Sequence, residues 1–179
     1  DQYKHQWHVV DAVAKLRDKG YPVELNLVGP AHSASLRRLS KKINKLDKKK
    51  EYIKYHGSIP YKDLHNIYKE SHLGIFASSC ENMPNILIET MASGLPIACS
   101  NRGPMPEVLG NAGLYFNPEH SDEIFDALEN FINNPKLRDV KANASFYSVQ
   151  KYSWSICTQE TFSFLEYVIS DYKESLCVE

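Results

Sequence analysis

The stretch LGIFASSCENMPNILIETMASGLPIACS, from Leu73 to Ser100, decides how this chain folds. Leu73 to Ala77 and Leu95 to Ser100 are short apolar runs, the kind that form strands buried on both faces of a parallel sheet. Between them, Pro84 suits the first turn of a helix, where its missing N–H is no loss. Ile86, Leu87, Ile88, Met91 and Ala92 continue that helix, and Gly94 stops it. Strand, loop, helix and strand in this order make one parallel crossover unit.

The same alternation extends in both directions. Val23 to Val28, Tyr52 to His56 and Gly113 to Phe116 read as further strands. Val9, Val10, Val13 and Leu16 share one face of a helix that Gly20 ends, and Ile124, Leu128, Phe131 and Ile132 repeat at helical spacing. No Asn-Gly hairpin signal separates the strands. The expectation is an α/β fold: a Rossmann-like, doubly wound parallel sheet with right-handed crossovers. From residue 136 onward the pattern is helical only, with aromatics from Phe146 to Tyr167. A single domain over 1–179 is therefore expected, with 136–179 a helical extension. That extension fits terminal helices covering a sheet edge and a segment crossing to a neighbouring domain equally well.

Composition narrows the class. The 179 residues carry 21 Lys and Arg against 22 Asp and Glu, a net charge of −1, with 42% hydrophobic and 24% charged residues. That balance is globular and gives no electrostatic footprint for nucleic acid. No apolar run approaches the ~18 residues of a membrane span. Asp1-Gln2-Tyr3-Lys4-His5 does not read as a signal peptide, and a cytoplasmic chain is expected. Cys80, Cys99, Cys157 and Cys177 form no CxxC pair, so reduced thiols are expected, with Cys99 in the core. The histidines lack metal-ligand spacing, and His56 and His72 read as packed structural residues beside strands. No metal site is expected. A basic stretch from Arg37 to Lys54 places residues 38, 41, 42, 45, 48 and 49 on one helical face, either a solvated surface or a peripheral contact with anionic lipid.

Ligands of open α/β sheets bind beyond the carboxyl ends of the strands. The segments there are Val28-Gly29-Pro30, His56-Gly57-Ser58-Ile59-Pro60, Ser78 to Asn85, and Asn101-Arg102-Gly103-Pro104. The third leads into a helix N-terminus, whose free N–H groups and dipole suit a phosphate. Glu81 stands in the loop before that helix. Glu89 lies on it, five residues past Pro84, about 7.5 Å along the axis at ~1.5 Å per residue. The two acids could grip hydroxyls on either side of a nucleotide sugar's diphosphate; by spacing alone, an ordinary structural role for both is the default reading. No GxGxxG follows a strand and no GxxxxGK[ST] loop occurs, which disfavours a dehydrogenase or a P-loop enzyme.

The run from Ser78 through Glu81-Asn82-Met83-Pro84-Asn85 to Glu89 and Ile97 closely resembles the Glu-x7-Glu signature of glycosyltransferase family four, also called group 1. Leu27-Val28-Gly29 resembles that family's Val-Gly strand end, and His56-Gly57-Ser58-Ile59 its nucleobase loop. Gly103-x-x-Pro106-Glu107-Val108, Ala112 to Pro118, and Tyr152-Ser153-Trp154 follow in the family's order. These are retaining, metal-independent enzymes of GT-B fold. The resemblance implies the C-terminal, donor-binding half of such an enzyme, moving a hexosyl unit from a nucleoside-diphosphate sugar to a glycan or lipid-linked acceptor.

Carried over by position, Glu81 takes the catalytic place beside the donor sugar. Backbone amides of Asn82, Met83 and Asn85 face the sugar and diphosphate, while Pro84 cannot donate. Glu89 holds the ribose hydroxyls, Ile59 and Gly29 line the nucleotide, and Lys4 contacts the diphosphate. Met83 stands where the family often carries an aromatic residue. No cofactor or metal is implied. The family's acceptor domain, and a strand and cationic residue preceding Lys4, are expected outside this chain, so the piece alone is expected to be inactive. Cell-surface polysaccharide assembly at the inner membrane face is the setting implied. The competing readings are a GT-B sugar-nucleotide epimerase, which needs no acceptor, and a non-catalytic nucleotide- or partner-binding module.

Overall fold

The computed structural model describes residues 1–176. In chain order the elements are α1 (Gln6–Asp18), β1 (Leu25–Val28), α2 (Ser33–Leu46), β2 (Ile53–Gly57), α3 (Tyr61–Glu70), β3 (Gly74–Phe76) and α4 (Asn85–Ala92). They continue with β4 (Ile97–Ser100), α5 (Met105–Leu109), β5 (Gly113–Phe116), α6 (Ser121–Asn133), α7 (Pro135–Val149) and α8 (Trp154–Leu176). The expected α/β alternation is present, and every strand pairing is parallel.

The strands form two ladders rather than one continuous sheet: β1 with β2, and β3-β4-β5 with β4 in the middle. What joins them is a shared core. Val9, Val10, Val13 and Leu16 of α1 pack with Leu25 and Ile53 of the first ladder and with Ala98 and Phe116 of the second. Ile124, Leu128 and Phe131 of α6 belong to the same cluster. Apolar burial is non-directional and operates across distances at which ladder hydrogen bonds cannot form.

Burial on both faces, expected for all the strands, holds throughout only in β4. In β1 and β2 Asn26, Lys54, Tyr55 and His56 are exposed. His56 is thus a surface residue, its Nε2 2.8 Å from Asn26 Oδ1, and His72 is exposed as well; neither is the packed histidine its neighbourhood suggested. Cys99 is fully buried as expected, and burial pushes its thiol pKa well up. Cys177 lies outside the described residues.

The chain divides into two compact units, Asp1–Ser148 and a second beginning at Val149. The helical stretch read from residue 136 comprises α7 and α8; α7 belongs almost wholly to the first unit, and α8 makes up most of the second. No helix among the described residues is long and apolar enough to cross a membrane.

Candidate functional site

Each strand-end segment is shaped by a residue suited to it. Gly29, after β1, has φ 120°, and Gly57, at the end of β2, has φ 66°, backbone that side chains disfavour. Gly29 N–H donates to the Gly57 carbonyl at 2.8 Å, and the Tyr55 hydroxyl donates to the Gly29 carbonyl at 3.0 Å. A Cβ at either glycine would meet nothing within 4 Å, so both face open space. Ile59 is half-buried between Gly57 and α3.

The β3–α4 loop holds most of the polar groups. Ser78 is buried and its hydroxyl donates to the Cys80 carbonyl at 3.2 Å. Glu81 forms an ion pair with Lys4, 77 positions away in the chain. The side chains retain 16% and 24% exposure, so the pair is only partly screened by water. Lys4 Nζ also lies 5.5 Å from the Phe76 ring centre. Asn82 and Met83 are exposed.

Pro84 is fully buried and caps α4 rather than opening its first turn, one position earlier than the sequence suggested. Its ψ of 71° is outside the helical range, and its carbonyl accepts the Ile88 N–H at 3.1 Å. The Asn85 amide donates to the Met83 carbonyl at 2.9 Å, so it is engaged within the loop rather than turned wholly outward. Gly74 lets α4 lie close on β3, since a Cβ there would overlap the Thr90 methyl.

Glu89 is half-buried on α4. Beside it stands Tyr68 of α3, whose phenol is held above its ordinary pKa by burial first; the Thr90 hydroxyl opposes that shift and the Glu89 carboxylate adds to it. The approach of Tyr68 to Glu89 depends on how α3 and α4 pack. The segment carrying Lys4 brings a further unforeseen group. His5 is buried, and its Nε2 lies 2.9 Å from Ser79 Oγ. Seventy-four positions separate these two residues, and no local sequence pattern marks the pairing.

The basic stretch is reorganised. α2 ends at Leu46, so Lys48 and Lys49 lie beyond it and are not on its face. Arg38 stacks 3.8 Å from the Trp7 ring centre, and Lys42 pairs with Asp11 at 2.7 Å, which turns both toward α1. Arg38 is nonetheless exposed, as are Arg37, Lys41 and Lys45. Among the described residues, no three His, Cys, Asp or Glu side chains gather as a metal-binding set.

A parallel α/β domain with turned glycines at its strand ends and a carboxylate–lysine pair ahead of a helix is Rossmann-like in fold. Residues 1–145 match the family model for glycosyl transferases group 1, and the chain belongs to that family. It is 29% identical over 112 residues to the O-antigen chain mannosyltransferase B of Escherichia coli, covering 63% of this chain and 29% of that protein. With a sulfoquinovosyl transferase of Arabidopsis thaliana it shares 23% identity over 107 residues, 57% of this chain and 21% of that protein. The chain thus spans under a third of the length of these curated relatives, at 29% and 21%.

Solved structures share the fold. Anabaena HepE, in complex with UDP and glucose, superposes with a TM-score of 0.81 at 21% identity, over 93% of this chain and 45% of that one. The C-terminal domain of LpcC, a group 1 family protein of Francisella tularensis, gives 0.74 at 22% identity, over 84% of this chain and 80% of that one. The architecture is that of a GT-B C-terminal domain.

Proposed function

We propose that this chain is the donor-binding part of a retaining glycosyltransferase that moves a hexosyl unit from a nucleoside-diphosphate sugar to a glycan or lipid-linked acceptor. One observation carries the reading: tertiary folding brings Lys4 onto Glu81 immediately ahead of the α4 N-terminus. Cation, carboxylate and helix dipole together suit a diphosphate next to a sugar. The relatives named for mannosyl and sulfoquinovosyl transfer, and the neighbour holding UDP and glucose, support a sugar-nucleotide donor.

The chemical barrier is charge separation between an oxocarbenium-like sugar and a departing diphosphate. Lys4 and the first turn of α4 stabilise the leaving charge, a role that needs no divalent ion when an ammonium supplies it. Glu81 exchanges its partner Lys4 for the sugar and orients it. Glu89, steadied beside Tyr68, accepts the ribose hydroxyls, and Gly29 and Ile59 border the nucleotide. The amides of Asn82 and Met83 face the sugar and diphosphate; that of Asn85 joins them on release from the Met83 carbonyl. Retention follows when the acceptor attacks from the face the diphosphate leaves. The acceptor pocket belongs to another part of a longer protein, and the reaction serves cell-surface polysaccharide assembly on the cytoplasmic side, with Arg37, Lys41 and Lys45 meeting anionic lipid.

The test is a metal-free calorimetric titration with UDP, GDP, ADP and their hexose conjugates, repeated on Glu89→Ala. One nucleotide should bind selectively, and the variant should lose at least about tenfold in affinity, ~1.4 kcal/mol. Silence from the folded wild-type chain with every nucleotide would remove the donor-binding assignment.

A further inference from the structure

Besides the Lys4–Glu81 pair, the segment bearing Lys4 is fastened to the Glu81 loop at Ser79. Its backbone N–H donates to the Tyr3 carbonyl at 2.8 Å, and its hydroxyl lies 2.9 Å from His5 Nε2. Tyr3 and His5 flank Lys4, so Ser79 grips the chain on both sides of the lysine while Lys4 reaches Glu81, two residues beyond Ser79.

His5 holds this place against its own backbone preference. It has φ 49° and ψ 26°, the left-handed region, where a glycine would be unstrained. His5 is buried, with 8% of the residue exposed. Trp7 meets it edge-on with centroids 6.0 Å apart, and His8 stacks at 5.9 Å. The Ser79 hydroxyl also approaches the Tyr3 carbonyl, at 3.4 Å. With that hydroxyl donating to Tyr3, its oxygen is free to accept Nε2–H; the remaining ring nitrogen, Nδ1, is buried without a protein partner. The ring's hydrogen bond is thus directed at the loop.

We infer that His5 and Ser79 form a positioning clasp that sets Lys4 for the diphosphate of the donor, an inference resting on the donor-binding reading above. Neither residue touches the nucleotide; the clasp acts through Lys4. Its signature is selective. Loosening it lowers the affinity gained from the second phosphate and leaves the grip on the nucleoside, which Glu89 and Ile59 supply from other elements.

The experiment measures the affinity of this chain for the mono- and diphosphate of whichever nucleoside it selects, in wild type, His5→Asn, Ser79→Ala, the double variant and Ser79→Thr. Asparagine tolerates the left-handed backbone, and thermal denaturation checks each variant for folding. The wild-type ratio of monophosphate to diphosphate dissociation constants should fall about tenfold in each single variant and no further in the double, the mark of one shared device. Ser79→Thr, which keeps the hydroxyl, should restore the ratio, and monophosphate affinity should change by less than about twofold. An unchanged ratio in folded Ser79→Ala, or an equal loss for both ligands, would overturn the clasp and leave the donor site standing. A wild-type chain that binds neither ligand overturns the donor reading and the clasp with it.

Discussion

His5 and His8 show how individual side chains tie the site to the acid response of the molecule. Burial holds the His5 imidazolium form down, Glu119 pulls the other way, and Arg38 lowers it further. For His8 burial again comes first; His5, Arg38 and Lys42 add to it, and Asp11 opposes. Both pKa values are thus below the ordinary value near 6.5. The unfolded chain takes up these protons first, so the stabilisation is fully present above about pH 6.5 and is lost as pH falls through the folded values. Urea midpoints should accordingly drop between about pH 7.5 and about pH 5.5, and the drop should shrink in a His5→Asn, His8→Gln double variant. An undiminished drop in that variant would assign the effect to other groups.

At the scale of elements, the turn from α2 into β2 depends on one carboxylate. Asp47 accepts the Glu51 N–H at 2.8 Å, the Tyr52 N–H at 2.9 Å and the Ile53 N–H at 2.8 Å. Burial resists its ionisation, but these three bonds outweigh it and hold the carboxyl below the usual carboxylate range. Asp47→Ala leaves all three donors without that acceptor and should cost about 2–4 kcal/mol. Chemical denaturation measures it; a loss below about 0.5 kcal/mol would show the donors re-satisfied by water. Asp47 sits inside a lysine run, where a lone carboxylate does not stand out. Its partners are only four to six residues ahead, yet nothing in their identity marks them, because they contribute only backbone N–H groups.

Across the first unit, the two ladders cohere through α1 and α6 rather than through strand pairing. Phe131 of α6 is fully buried in the cluster that both ladders share. Phe131→Ala should cost about 3–5 kcal/mol, a large part of a typical domain's 5–15 kcal/mol. The amides of β1 and β4 should lose hydrogen-exchange protection together in this variant, since removing a shared core weakens both ladders. Loss confined to β4 and β5 would mean that the ladders are stable independently.

What the sequence determined by itself is what local chemistry encodes. Apolar runs of strand length, helical periodicities and glycine stops locate β5 at its observed bounds and the buried faces of α1 and α6, and the Glu81 to Glu89 spacing marks the loop and helix of the candidate site. These features depend on steric and hydrophobic preferences within a few residues of chain. The tertiary structure alone decided the pairing of Lys4 with Glu81, the approach of Tyr68 to Glu89 and the clasp of His5 on Ser79. It also laid Arg38 and Lys42 against α1 and divided the strands into two ladders. Each of these joins groups far apart in the chain, and the geometry that makes such a contact favourable exists only once the helices have packed against the strands.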